Sequence, residues 1–277
     1  MDIDGAAMVA NRSGADFNGV ALTLVAGQPN RAPASGPMQA KGYARAEMMV
    51  ADAAAPAPVA SGEYHAYRMP GSANLPQGSV QRLPLINPAR GVACERRYET
   101  RSQMGDWRPP YPLIDAGFNS GTSAHEVIAS LQFENRKTDG LGVPLPAGRV
   151  RVFDGGDLLG EATLGHTPAN ARTTLDLGTV FDLTTERTRD DFRLDRTGRT
   201  MEERVSIIVR NAKPEAATVH VVEQMTRWSD WEIVSSTVPA GKRDAQTAAF
   251  ALTVPAGGTA KVTYTVRYRW APDVQIP

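Results

Sequence analysis

A single cysteine, Cys94, occurs among 277 residues, so the chain cannot close a disulfide within itself and must hold its fold by burial. Long apolar runs are missing too: nothing approaches the ~20 residues that a membrane-spanning helix needs. The opening residues MDIDGAAMVANRSG contain neither the basic start nor the apolar stretch of a secretion signal. Neither sign of charge is in excess, since 30 Lys+Arg stand against 30 Asp+Glu. Without a net field, nucleic acid and anionic bilayers are not expected partners. There are four histidines, none in an H-x-H pair and none near a paired cysteine, so no metal and no cofactor is expected. Cys94 itself reads as a small packed residue on the strand VACERRYE.

What the chain does have is 25 glycines and 20 prolines, the punctuation of many turns. Between them the apolar residues alternate. Val262, Tyr264, Val266, Tyr268 and Trp270 share one face, and Ala248, Phe250, Leu252 and Val254 share another. PAGG at residues 255–258 lies between the two runs, which predicts a hairpin with an apolar face. Val205, Ile207 and Val209, then Val219 and Val221, alternate in the same way on either side of Lys213-Pro214-Glu215. Val127, Ala129, Leu131 and Phe133 form one row, and Thr173, Leu175 and Leu177 another.

In VPLPAGRVRVFDGGDLLGEATLGHTP, residues 143–168, two prolines hold Leu145 extended and Gly148 releases a strand carrying Val150 and Val152. Asp154-Gly155-Gly156-Asp157 is a two-residue hairpin turn, and Leu158, Ala162 and Leu164 are expected to return along the core face. Strands at this spacing, with no helical crossovers, predict an all-β chain. The expected fold is an antiparallel, immunoglobulin-like β-sandwich over residues 123–277, preceded by a smaller, incomplete β region at residues 1–122. Within that region, residues 27–62 are rich in alanine, proline and glycine and are expected to be a flexible insertion, with a short helix over residues 43–55. Residues 6–11 and 21–25 read as strands with too little chain before them to complete a sheet. The chain is therefore expected to be a truncated form of a longer protein, able to self-associate through these strands.

The motifs that could carry chemistry are fragmentary. HEVIA at residues 125–129 is half of a zinc pattern, but it lies on a strand, where residues four apart are ~13 Å apart. GTSAH at residues 121–125 lacks the last glycine of a nucleophile elbow, although Ser123 and His125 could touch. A hydrolase site around Ser123, His125 and His166 is the alternative to a binding role. Asp190, Asp191 and Asp195 are interleaved with Arg187, Arg189, Arg193, Arg196 and Arg199, and read as a solvated charged hairpin. Binding is best hinted at by aromatics: Trp107 and Tyr111 in the stiff segment WRPPYP, and Trp228 and Trp231 about a polar pair.

The strings LTLVAGQPNR, EYHAYRMPGSANLPQGSVQRLPLI, GLGVPLPAGRVRVFD with LGEATLGHTP, and RNAKPEAATVHVVEQ with VPAGGTAKVTYTVRYRW follow one another in an order that resembles a known family. It is the C-terminal domain of unknown function of the bacterial mucoidy-inhibitor-A-like family. The resemblance covers nearly all of the chain except the Ala/Pro segment and carries over no catalytic residues. It implies an exported protein of the bacterial envelope or periplasm, with a signal peptide and further structure upstream. The expectation for function is a non-enzymatic module that binds an envelope protein or a surface polysaccharide.

Overall fold

The computed structural model describes residues 1–26, 48–50, 58–61, 64–69, 71–102 and 107–276. Among these, the one helical element is a 3₁₀ turn at Lys137–Asp139, and the rest of the regular structure is strand. In chain order the strands are β1 (Ile3–Ala10), β2 (Phe17–Val20), β3 (Thr23–Ala26), β4 (Met48–Val50), β5 (Pro58–Ser61), β6 (Tyr64–Arg68), β7 (Ala73–Leu75), β8 (Val80–Ala89) and β9 (Cys94–Arg101). There follow β10 (Thr122–Glu134), β11 (Gly148–Asp154), β12 (Asp157–Leu164), β13 (Arg172–Asp195), β14 (Thr200–Asn211) and β15 (Ala217–Gln224). The last four are β16 (Trp231–Ser236), β17 (Ala240–Lys242), β18 (Thr247–Val254) and β19 (Thr259–Arg269). No helix among the described residues is long and apolar enough to cross a membrane, which says nothing of crossing by strands. The chain divides into two compact units that interleave along the sequence, residues 1–95 with 132–175 and residues 96–131 with 176–277.

The second unit is organised by a nine-stranded sheet in the order β16-β19-β14-β13-β10-β9-β15-β18-β17. The alternating rows read from the sequence are its core: Val262, Tyr264, Val266, Tyr268 and Trp270 are buried, as are Ala248, Phe250, Leu252 and Val254. Val205, Ile207 and Val209 of β14 and Val219 and Val221 of β15 complete one apolar cluster. Each Val, Leu, Ile or Phe among them contributes about 1.5–3 kcal/mol when fully buried, so the strand pattern is also the main source of stability. The sheet is mixed rather than wholly antiparallel, because β9 pairs with β15 in parallel, Val219 opposite Tyr98 and Val222 opposite Arg101.

The expected hairpin of residues 246–270 does not form. β18 pairs with β15 and β17, whereas β19 pairs with β14 and β16. The apolar rows of β18 and β19 pack face to face instead, with the Phe250 and Tyr264 rings stacked at 5.0 Å. A period of two states which residues share a face; it does not state whether two faces lie side by side or opposite each other.

The charged stretch at residues 187–199 is a hairpin, β13 pairing with β14 down to Asp195 opposite Thr200. It is solvated only in part. Arg187 and Arg189 are nearly buried and paired, to Glu223 and Glu203 respectively, while Arg193 and Asp191 pair in the open. Cys94 departs from expectation: it is exposed at the start of β9, with the Met1 amino group 4.0 Å from its sulfur.

In the first unit, β1 pairs with β8 and β3 with β6, so the early strands are completed by residues 64–89 of the same unit. Most of the segment at residues 27–62 lies outside the described residues. Within it, Met48–Val50 is a strand parallel to β8 and Pro58–Ser61 a strand antiparallel to β6. The helix expected over residues 43–55 is therefore replaced by strand at 48–50, and its other positions lie outside the described residues.

The hairpin of residues 148–164 is as expected at its turn, where Gly155 and Gly156 have φ of 59° and 98°, the signs of a primed turn. A bulge after Val152 sets Phe153 opposite Leu158. Leu158 is consequently exposed, together with Phe153 and Leu159, and does not return along the core face. Leu145 is buried and exchanges two 2.9 Å backbone hydrogen bonds with Thr167, as its flanking prolines suggest. The Tyr67 hydroxyl donates to the Pro144 carbonyl at 2.7 Å.

Three buried asparagines end strands in a common way. Asn135 donates through Nδ2 to the carbonyls of Val143, Thr167 and Pro168 and accepts the Gly142 N–H. Asn211 donates to those of Glu215, Val254 and Pro255 and accepts the Lys213 N–H. Asn11 donates to those of Ala15 and Leu75 and accepts the Ser13 N–H. Each amide satisfies loop groups that would otherwise be stranded away from water.

Candidate functional site

At the start of β10 the second unit contains a cavity of about 200 Å³ lined by Ser102, Asn119, Ser120, Gly121, Thr122, Ser123, His125, Arg187 and Gln224. Four adjacent strands build it. Ser123 and His125 are two residues apart on β10 and so share a face, Arg187 comes from β13, and Ser102 and Gln224 stand at the ends of β9 and β15. The last two are tied together: Ser102 N–H donates to Val222 O at 3.1 Å, and Gln224 N–H to Ser102 Oγ at 3.3 Å.

The remaining wall is the loop before β10, which two arginines hold from beneath. Arg227, with a fully buried side chain, donates to the carbonyls of Leu113, Asp115 and Phe118. Arg189 donates to those of Ala116 and Phe118. Glu203 balances both, 2.7 Å from Arg227 Nε and 3.7 Å from Arg189 Nη1. The Arg227 guanidinium also lies over the Phe192 ring at 4.3 Å and the Phe118 ring at 5.4 Å. The loop is thus anchored by charge-assisted hydrogen bonds to its backbone, and Asn119, with φ of 52°, turns it into the cavity.

The electrostatics of the cavity are balanced. Arg187 Nε donates to Glu223 Oε2 at 2.9 Å, and the Tyr264 hydroxyl donates to the same oxygen. Burial works against the Arg187 charge, but Glu223 and Tyr264 outweigh it and hold the guanidinium above its ordinary range. Burial, followed by the Glu223 charge, pushes the Tyr264 hydroxyl well up, so it remains a donor. The His125 imidazole is held below its usual value by burial, with Glu223 opposing and Arg187 adding to the effect. Its neutral form is favoured by that burial, and its Nε2 lies 2.9 Å from Ser123 Oγ.

Ser123 and His125 therefore meet as the sequence allowed. His166 belongs to the first unit, where its Nδ1 accepts the Ala147 N–H at 3.2 Å. Among the described residues no acceptor orients the second nitrogen of His125, which a serine–histidine nucleophile requires. Among the same residues no group of three His, Cys, Asp or Glu side chains could hold a metal.

Of the four aromatic residues singled out, Trp107 is 48 % and Tyr111 40 % exposed. Trp107 packs on Phe118 with ring centroids 6.5 Å apart, one residue before the cavity-lining Asn119. Trp228 and Trp231 pack against the core, and Trp231 Nε1 donates to the Ala245 carbonyl at 2.8 Å. Glu223 was not singled out from the sequence, and Arg187 was read only as part of a solvated charged hairpin, although a signal was there for both. Arg187 has the parity of buried Leu183 and Thr185, and Glu223 that of Val219 and Val221, so each charge sits in a core-facing position and calls for a partner.

Comparison with known proteins shows a domain family of unknown function and adds no activity. No curated protein and no solved structure matches the chain. The profile of one family, described as a domain of unknown function (DUF4139), matches residues 1–272, and the chain belongs to that family.

Proposed function

We propose that this chain is a non-enzymatic binding module of the bacterial cell envelope, taking an envelope protein or a surface polysaccharide as its partner. The observation that carries the reading is the cavity at the head of β10: polar, charge-balanced, and walled by a loop that Arg227 and Arg189 hold rigid. Preorganisation of that kind lowers the entropic cost of binding and does not by itself create a reacting group. The envelope location rests on the resemblance to the mucoidy-inhibitor-A-like proteins. The outer edge of β1, which ends its sheet in the order β1-β8-β4, is where self-association would occur.

A hydrolase is the second reading, favoured by the hydrogen bond between Ser123 and His125. The purified chain is to be assayed against esters, peptides and glycosides. No turnover is expected. Turnover that survives purification and disappears in Ser123→Ala would replace the binding reading with the hydrolytic one.

A further inference from the structure

We propose that the cavity at the head of β10 takes a single neutral sugar ring of a glycan. This rests on the binding-module reading and names its ligand. The lining decides among ligand chemistries. Ser102, Ser120 and Ser123 bring hydroxyls, and Asn119 and Gln224 bring amides, groups that both donate and accept. A polyol, in which every hydroxyl also does both, is the matching ligand.

The competing chemistries fit less well. An anion needs an unopposed cation, but Glu223 already balances Arg187 and burial favours the neutral form of His125. An extended peptide needs a free sheet edge to join. Here β9, β10, β13 and β15 are all interior strands with a neighbour on each side. A helical peptide needs an apolar groove, and apart from Gly121 the lining residues are all polar.

Size and an aromatic neighbour point the same way. The cavity, about 200 Å³, is smaller than the roughly 300–1,000 Å³ of sites that enclose drug-sized molecules. It suits one ring and leaves the rest of a glycan in solvent. Trp107, half-exposed on Phe118 beside Asn119, offers a flat surface to the C–H face of the next ring.

The test uses the full chain, labelled with ¹⁵N and titrated with glucose, galactose, N-acetylglucosamine and their β-linked disaccharides, with amide shifts as the readout. Saturable shifts confined to residues 102, 119–125 and 224 are expected for at least one sugar. Asn119→Gly keeps the positive φ while deleting the amide, and Ser123→Ala deletes the hydroxyl. Each should weaken binding about fivefold, the equivalent of one hydrogen bond, with an unchanged melting midpoint. Trp107→Ala should weaken disaccharides more than monosaccharides. Shifts at these residues with an unstructured peptide library and not with sugars would overturn the sugar assignment and leave the binding reading standing. Silence with both would overturn the assignment as well. Ester turnover dependent on Ser123 would overturn both readings.

Discussion

Two stretches of this chain have the same local recipe, an alternating strand, a glycine-bearing turn and a second alternating strand, yet they fold differently. Residues 148–164 close on themselves, with β11 paired to β12. Residues 247–269 do not, since β18 and β19 part into different regions of the nine-stranded sheet. The glycines explain part of it: φ is positive at both Gly155 (59°) and Gly156 (98°), as a primed turn requires, but in the second loop it is positive at Gly257 (58°) and not at Gly258. The rest of the difference lies in what the turn bonds to. Asp154 and Asp157 face each other across a two-residue loop. The arch at residues 255–258 is bonded to another arch: Gly257 N–H donates to Lys213 O, Asn211 N–H donates to Gly258 O, and the Asn211 amide holds the carbonyls of Val254 and Pro255. A hairpin is thus specified locally, and an arch by a partner far away in sequence.

The largest test of this contrast is removal of distant chain. A fragment of residues 123–277 keeps both arches but loses β9, the parallel neighbour of β15. It should show no cooperative thermal transition, whereas a fragment that melts cooperatively would show that the arches suffice. Next comes Asn211→Ala, which strands several carbonyls and an N–H at the junction of the arches. A loss of about 3 kcal/mol is expected in urea unfolding, and a loss under about 1 kcal/mol would return the arch to the status of an ordinary turn. Gly155→Val should cost about 1–3 kcal/mol. No atom outside its neighbours lies within 4 Å of a Cβ placed there, so the cost would come from the positive φ alone.

Acid separates the two regions more finely. The His125 pKa is lower in the folded chain than its ordinary 6.5, so the unfolded chain takes up the proton first. Stability should therefore fall as pH drops below about 6.5, until the folded pKa is reached. His125→Gln should flatten the change in melting midpoint between pH 7 and pH 5, and an unaltered slope would assign it to other groups. In the hairpin, a hydrogen bond from Arg151 holds Glu161 below its ordinary 4.5. That contribution is present above about 4.5 and lost as pH falls through the folded value. Being fully exposed, the pair should give the smallest effect of all, seen as a slight loss in Glu161→Gln that salt abolishes.

The same contrast explains how far the fold and the site could be read in advance. The rows from Val262 to Trp270 and from Ala248 to Val254 are buried throughout, and Val127, Leu131, Phe133 and Leu175 are buried in the two others named from alternation, while Ala129, Thr173 and Leu177 are only half-buried; burial parity is largely a local property. Pairing is not local, and so the 246–270 hairpin failed while the 148–164 hairpin held. A single bulge after Val152 was enough to turn Leu158 outward. At the site, Ser123 and His125 could be paired because they lie on one strand. Arg187, Glu223, Ser102 and Gln224 reach the same place from three other strands, which only the sheet order reveals. Arg227 lies next to a tryptophan pair that drew attention to itself, and its role in anchoring carbonyls 113–118 depends on a loop more than a hundred residues earlier.

The parallel pairing of β9 with β15 also has a temporal side. The two partners lie about 120 residues apart in the chain, and a ribosome adds roughly 5–20 residues each second. For on the order of ten seconds β9 waits in the growing chain as an unfinished strand, at risk of pairing with a neighbouring nascent chain. Its sequence, CERRYETR, places Glu95, Arg96, Arg97, Glu99 and Arg101 around one buried aromatic, Tyr98. Charges of both signs at this density act as gatekeepers against aggregation, so a strand destined for the middle of the largest sheet is written as though it were an edge, protected for the interval before its partner is made.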